Sequence, residues 1–164
     1  VAVFGTGILR HEILSQFQGS LLNIHLGLSP YYRGAGTNFW PLVNGEPEFV
    51  GATIHYLDAG IDTGPIIFHV RPDIEPDDDS HSLGNKAIRA AAEGMVKAVK
   101  AHHRGRLLSH PQTSKGRLYQ RKDFSADAVR QLYQQFDQGM IGKYLDTREF
   151  RDSKLDLVSL EEQR

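Results

Sequence analysis

The stretch from Val1 to His25 constrains this chain more than any other. Val1 to Phe4 reads as a buried strand running into Gly5-Thr6-Gly7. Ile8, Ile13, Leu14 and Phe17 then space like one face of a helix that Gly19 stops, and Leu21 to His25 forms a second strand. A strand–helix–strand unit of this length suits a right-handed crossover between parallel strands, which places the chain among α/β folds.

The rest of the sequence supports that class. Leu26 to Gly36 is a Gly-, Pro- and Tyr-rich loop, and Thr37 caps a short helix through Phe39, Trp40, Leu42 and Val43. Phe49 to Leu57 alternates as a strand, turns at Asp58-Ala59-Gly60, and is followed by a strand from Pro65 to Val70. Asp77-Asp78-Asp79-Ser80 opens the longest helical pattern, with Leu83, Ala87, Ile88, Ala91, Met95 and Val99 on one stripe. Beyond Gly105 the character changes. An edge strand is expected over Gly116 to Tyr119, then a helix capped by Ser125 and ended by Gly139, then a charged, weakly patterned stretch from Asp146. The expected organisation is a mostly parallel sheet flanked by helices over residues 1–107, with residues 108–164 as an extension of one edge strand plus helices.

Composition narrows the function classes. The 164 residues are 40% hydrophobic and 24% charged, and Lys+Arg 19 against Asp+Glu 20 gives a net charge of −1. That balance gives no general attraction to polyanions. No apolar run approaches the ~20 residues of a membrane helix, so no membrane partner is expected. The absence of cysteine removes disulfides, thiolate nucleophiles and Cys-ligated zinc. With no secretory pattern at Val1 to Phe4, a cytoplasmic location is expected.

Two patterns bear on chemistry. Gly5-x-Gly7 follows a strand, but a dinucleotide fingerprint needs a third small residue where Arg10 stands, and a tight turn explains both glycines. More informative are Asn23-Ile24-His25 and the run Gly51 to Gly64, which contains His55 and Asp62. Residues i and i+2 of a strand share a face, so Asn23 and His25 stand side by side: a neutral amide donor next to a ring that titrates near neutral pH. At the carboxyl end of a parallel strand they face the crevice where α/β folds bind ligands. Asp62 lies on a Gly-flanked loop that brings its carboxylate toward the same crevice. Singly, each has a plain reading as a core histidine, a strand end or a turn former. In combination they point to a site.

Asn23-Ile24-His25-Leu26-Gly27-Leu28-Ser29-Pro30-Tyr31-Tyr32-Arg33-Gly34, followed by Gly51 to Gly64, closely resembles the 10-formyltetrahydrofolate-dependent formyltransferases. These include glycinamide ribonucleotide, methionyl-tRNA and amino-sugar N-formyltransferases and the related hydrolases. The resemblance runs from Val1 to about His103. It implies Asn23, His25 and Asp62 as the catalytic trio and His55 as their support. Family members commonly carry Pro and then Ser or Ala after the catalytic His, where this chain has Leu26 and Gly27. Its Gly-Leu-Ser-Pro form looks more like the nucleotide-sugar branch. The resemblance further implies a strand–helix–strand unit ahead of Val1, so the chain reads as the later part of a catalytic domain plus an extension.

The implied reaction moves a formyl group from 10-formyltetrahydrofolate to a primary amine of a small phosphorylated or nucleotide-linked compound, with no metal. Asn23 and His25 would donate to the developing oxyanion, while Asp62 would favour protonated His25 and help to move the proton. The folate would lie between Gly7, Ile8 and Leu9 and the loop Leu57, Asp58, Ala59, Gly60 and Ile61. Ile8 and Leu9 are equally readable as core. Arg33 would hold a phosphate or carboxylate of the amine, or make a salt bridge. Arg117, Tyr119, Arg121 and Lys122 are readable as nucleic-acid contacts or, more plainly, as a solvated strand edge. tRNA is thus the lesser partner. The same residues would also suit hydrolysis of the donor, or folate binding without turnover. They do not specify an oligomeric state, and a homodimer is one form compatible with them.

Overall fold

The computed structural model describes residues 1–7, 9–17 and 19–160. Its strands are β1 (Ala2–Phe4), β2 (Leu22–His25), β3 (Tyr32–Gly34), β4 (Ala52–Tyr56), β5 (Ile66–Val70) and β6 (Arg117–Tyr119). Its helices are α1 (His11–Gln16), α2 (Phe39–Val43), α3 (Ser80–His103), α4 (Ala126–Asp137), α5 (Met140–Asp146) and α6 (Arg148–Asp152). The main sheet has the order β1-β2-β4-β5, and β3 and β6 form a separate two-stranded sheet. The α/β class and the flanking helices are present. Parallel pairing is found at β1/β2, across the expected crossover, and at β3/β6. β2/β4 and β4/β5 run antiparallel. The connection from β4 to β5 is a turn and loop too short to return the chain to the same end of the sheet, as a parallel pair requires.

The register explains the burial. β2 pairs with β4 so that Asn23 lies opposite His55 and His25 opposite Thr53. Directly opposed residues share a face of the sheet, so these four polar side chains form one side. Leu22 and Ile54 lie on the other side, in a core with Ile67, Phe68, Met95 and Ala98 that α3 covers. β4 is therefore buried on both faces, although its sequence alternates.

α3 begins at a capping box: Asp79 accepts from the backbone of His81 and Ser82, and the Ser82 hydroxyl closes the reciprocal bond. Its buried stripe is Leu83, Ala87, Ala91, Gly94, Met95, Ala98 and Ala101. Ile88 and Val99, expected in that stripe, are 41% and 42% exposed. Small residues dominate the contact face because the helix lies close to the sheet, and the large β-branched residues are turned outward. The expected face of α1 also differs. Ile13 and Phe17 are exposed, because nothing among the described residues packs over them, and Ile8 lies outside the described residues.

Residues 108–160 share a core with the earlier part. Tyr32, Trp40, Leu42, Val43, Val50, Ile74, Leu83 and Ala87 pack with Ala128, Leu132, Met140, Ile141 and Tyr144. β6 pairs with β3, a strand inside the segment expected to be a loop. The weakly patterned end holds α6, which is tied down by Arg71 to Asp152 at 2.8 Å and by Arg151 to Glu48 at 2.6 Å. No helix among the described residues is long and apolar enough to cross a membrane.

Candidate active site

The polar side of β2 and β4 opens into a cleft of about 820 Å³. Asn23, His25 and Asp62 all line it. Thr53, on the same side, donates to the Gly27 oxygen at 2.6 Å and accepts from Ser29 N at 2.8 Å, which fixes the loop leaving β2.

Hydrogen-bond roles follow from the partners. His55 Nδ1 lies 2.8 Å from the Tyr56 carbonyl oxygen, which only accepts, so Nδ1 carries the hydrogen. Nε2 is then an acceptor, and it takes a bond from Asn23 Nδ2 at 3.0 Å. His55 thereby sets which way the Asn23 amide points and leaves its second N–H for a ligand. Burial holds His55 below the usual imidazole range, so the acceptor form is the stable one.

His25 faces acceptors at both ring nitrogens. Nε2 donates to the Tyr32 carbonyl at 2.9 Å, and Nδ1 stands 3.3 Å from Asp62 Oδ1. Burial lowers its pKa, and Asp62 opposes that shift. The carboxylate does favour the protonated ring as expected, but desolvation is the larger effect. Burial thus weights the ring toward its neutral form, in which Nδ1 carries the lone pair beside the carboxylate. The expected donation from His25 to an oxyanion is not available in this arrangement, because its N–H is engaged by Tyr32.

Asp62 is held at both ends. Oδ2 accepts from Gly34 N at 2.9 Å, and Oδ1 also lies 3.9 Å from His55 Nε2. Its φ of 53° is the one positive value outside glycine among the described residues. Such a conformation costs on the order of 1–3 kcal/mol and persists only where surrounding contacts fix it. Two residues on, a Cβ at Gly64 would run into the Tyr56 carbonyl oxygen, so only glycine lets this turn pass the end of β4.

Of the residues expected to hold folate, Gly7, Leu9, Leu57, Asp58, Gly60 and Ile61 line the cleft. Ile8 lies outside the described residues, and Ala59 is exposed and not part of the lining. The Asp58 carboxylate is occupied within its own loop, accepting from Gly60 N at 3.0 Å and from the Thr63 hydroxyl at 2.8 Å. Arg33 is also absent from the lining: β3 places it beside Leu118, with Nε buried. Neither is it in an ion pair among the described residues.

The sequence pattern did not reveal one wall. Leu118, Tyr119, Gln120 and Arg121 line the cleft, and Gln120 and Arg121 also line an adjoining recess of about 360 Å³ with Trp40 and Phe124. Arg117 is turned away from any such use, holding Glu46 through two bonds of 2.7 and 2.9 Å. Tyr119 stacks on Trp40 with ring centroids 4.4 Å apart. Both rings are therefore structural on their shared side. The signal for this wall was the clustering of Tyr119 and Arg121, but it did not show which cation faces the cleft.

The formyl transferase family model matches residues 1–99. Methionyl-tRNA formyltransferase from Caldanaerobacter subterraneus subsp. tengcongensis is 35% identical over 119 residues, covering 73% of this chain and 38% of that protein. The chain thus spans well under half the length of this curated relative. Among solved structures, the formyltransferase PseJ from Anoxybacillus kamchatkensis, in complex with a UDP-linked formamido sugar and tetrahydrofolate, superposes with a TM-score of 0.67 at 25% identity, covering 74% of this chain and 64% of that one. The N-formyltransferase from Helicobacter canadensis, in complex with folinic acid and dTDP-3-aminofucose, gives 0.63 at 25% identity over 73% of this chain and 44% of that one. With its matched segment containing the Asn-x-His strand and the Asp62 loop, the chain belongs to the formyl transferase family.

Proposed function

We propose that this chain carries the donor side of an N-formyltransferase site, moving a formyl group from 10-formyltetrahydrofolate to a primary amine of a small phosphorylated or nucleotide-linked substrate in the cytoplasm. The observation that carries the reading is the convergence of Asn23, His25 and Asp62 in one cleft. A folate fits the residues present: the volume is in the range of small-molecule sites, Leu9, Leu57 and Ile61 give apolar walls, and Asn23 keeps one amide hydrogen uncommitted. Relatives solved with tetrahydrofolate and folinic acid support the donor.

The bound donor supplies an electrophilic formyl carbon. Asn23 then has an N–H for the oxygen on which negative charge grows, held in place by His55 before the reaction begins. The His25–Asp62 pair takes a proton from the attacking amine, the carboxylate and the Nδ1 lone pair beside it sharing the proton between them. As the new N–C bond forms and the bond to the folate nitrogen breaks, the proton passes to that nitrogen, and His25 returns to its neutral form. Arg121, at the cleft and the adjoining recess, takes the anion-holding role expected of Arg33.

The second reading is formylation of initiator methionyl-tRNA, favoured by the identity to curated methionyl-tRNA formyltransferases. Against it, Arg117 is committed to Glu46.

The test supplies the full chain with 10-formyltetrahydrofolate and, in separate arms, an amino-sugar nucleotide, a phosphorylated ribosyl amine, initiator methionyl-tRNA, or no amine. Formylated product in a small-molecule arm supports the proposal, and product in the tRNA arm alone supports the second reading. Formate release without amine identifies a hydrolase. Donor binding without turnover identifies a binding module, and no donor binding overturns the folate assignment altogether.

A further inference from the structure

The loop that carries Asp62 is closed from outside the family-matched segment. Gln112 Nε2 lies 2.8 Å from the backbone oxygen of Asp62 and 2.8 Å from that of Gly64. Carbonyl oxygens only accept, so the amide nitrogen spends both hydrogens on these two atoms. His110, just upstream, exchanges backbone hydrogen bonds of 2.7 Å with Ile66 in both directions, so a bridge on the first residue of β5 delivers Gln112 to the loop. Gln112 Oε1 is buried and has no partner among the described residues, so these donated bonds account for the placement of the amide.

The contact falls where the backbone needs it. Asp62 is the left-handed residue of the turn, and its carboxylate must meet His25 Nδ1 at 3.3 Å and Gly34 N at 2.9 Å. Gly34 restrains the side chain. Gln112 restrains the peptide on the C-terminal side of Asp62 and, through Gly64, the far end of the turn. Together they fix the Cα–carboxylate direction that either alone would leave free to rotate. We infer that Gln112 is a positioning residue for Asp62, aiming the carboxylate at His25. This rests on the proposed function for its chemical consequence, but not for its structural one.

Gln112→Met keeps most of the volume and removes both donors; Gln112→Ala gives the same loss if the Met side chain fits too poorly for the chain to fold. The His25 ring is titrated by NMR in the full-length chain, beside thermal unfolding and formyl-transfer kinetics. Asp62, His55 and Arg33 are the charged or titratable groups acting on that ring. Loosening Asp62 removes the influence that raises the His25 titration midpoint, so the midpoint moves to lower pH while the fold persists. In transfer, kcat falls about 10- to 100-fold, the usual range for a supporting partner, with KM for the donor within about twofold. An unchanged His25 midpoint in a folded variant overturns the inference, whatever happens to kcat. A lowered midpoint in a chain that transfers no formyl group even before substitution upholds the positioning and removes the formyltransferase reading instead.

Discussion

The imidazole of His55 accepts a hydrogen bond from the Asn23 amide at 3.0 Å while its other nitrogen donates to the Tyr56 carbonyl at 2.8 Å. One side chain therefore ties the Asn23 amide to the backbone of the neighbouring strand, and the two residues are cross-strand partners in register. Removing His55 leaves Asn23 in place but unoriented. His55→Ala is expected to lower kcat about 10- to 100-fold with donor KM little changed. Asn23→Ala, which removes the donor itself, is expected to cost about 100- to 1000-fold. Steady-state kinetics on both variants check the order. Equal effects would mean that His55 does more than orient.

Asp62→Asn keeps the shape of the side chain and removes its charge. Without the carboxylate, nothing on that side opposes the burial that depresses His25. The His25 midpoint should fall, and the pH at which activity is half-lost on the acid side should fall with it, alongside a lower maximal rate. A pH–rate profile of the variant measures both. A limb that stays where it was would separate Asp62 from the titration.

Stability should decline as the solution is acidified. Burial is the largest influence on His25, His55 and His69, and all three are held below the usual imidazole value of about 6.5. Between that value and their lower folded values, the unfolded chain binds protons that the folded one refuses, so stability rises with pH in this window. The unfolding temperature is expected to be flat above about pH 7 and to drop progressively below about 6.5. Calorimetry from about pH 8 to about pH 5 tests this, and a flat profile throughout would contradict the buried neutral rings.

Arg121 and Arg117 should separate cleanly. Arg121→Ala is expected to raise KM for an anionic amine substrate about tenfold or more through loss of a charge-assisted bond, with little change in unfolding temperature. Arg117→Ala breaks the fork on Glu46 and a 2.6 Å bond to the Tyr32 hydroxyl, so it should lower stability by about 1–3 kcal/mol. Denaturant unfolding and substrate titration, run on both, decide the assignment.

Gly64→Ala drives a methyl carbon into the Tyr56 oxygen, against backbone that cannot step aside. The turn must open, which takes Asp62 off His25. Activity is expected to be lost with a marked fall in unfolding temperature, and circular dichroism during heating reads the latter directly.

Much of this was legible in the sequence, for reasons that differ by residue. Asn23 and His25 were visible as a pair because the two-residue strand period puts them on one side. α3 was visible because its capping signal and length are strong, although its phase was not. Hydrophobic size pulled Ile88 and Val99 inward, whereas the close approach of helix to sheet selects Ala87, Ala91 and Gly94. The strand at β6 and the cluster of Tyr119 and Arg121 were visible, but their place in the cleft was not, because β3 and β6 are three residues each and gain their meaning only from one another. Gln112 is a single polar side chain in an irregular segment, and no periodicity marks it.

The pairing of β3 with β6 carries a consequence for how the site assembles. Arg117 meets Tyr32 across 85 positions of chain, with β4, β5 and the whole of α3 lying in between. A contact so distant in sequence bears a large closure entropy and generally becomes favourable only once the intervening segments have condensed. The mouth of the cleft is thus completed late in folding, after the Asn23–His25 strand is in place, and a nascent chain released before Arg121 emerges would display Asn23 and His25 on an open face.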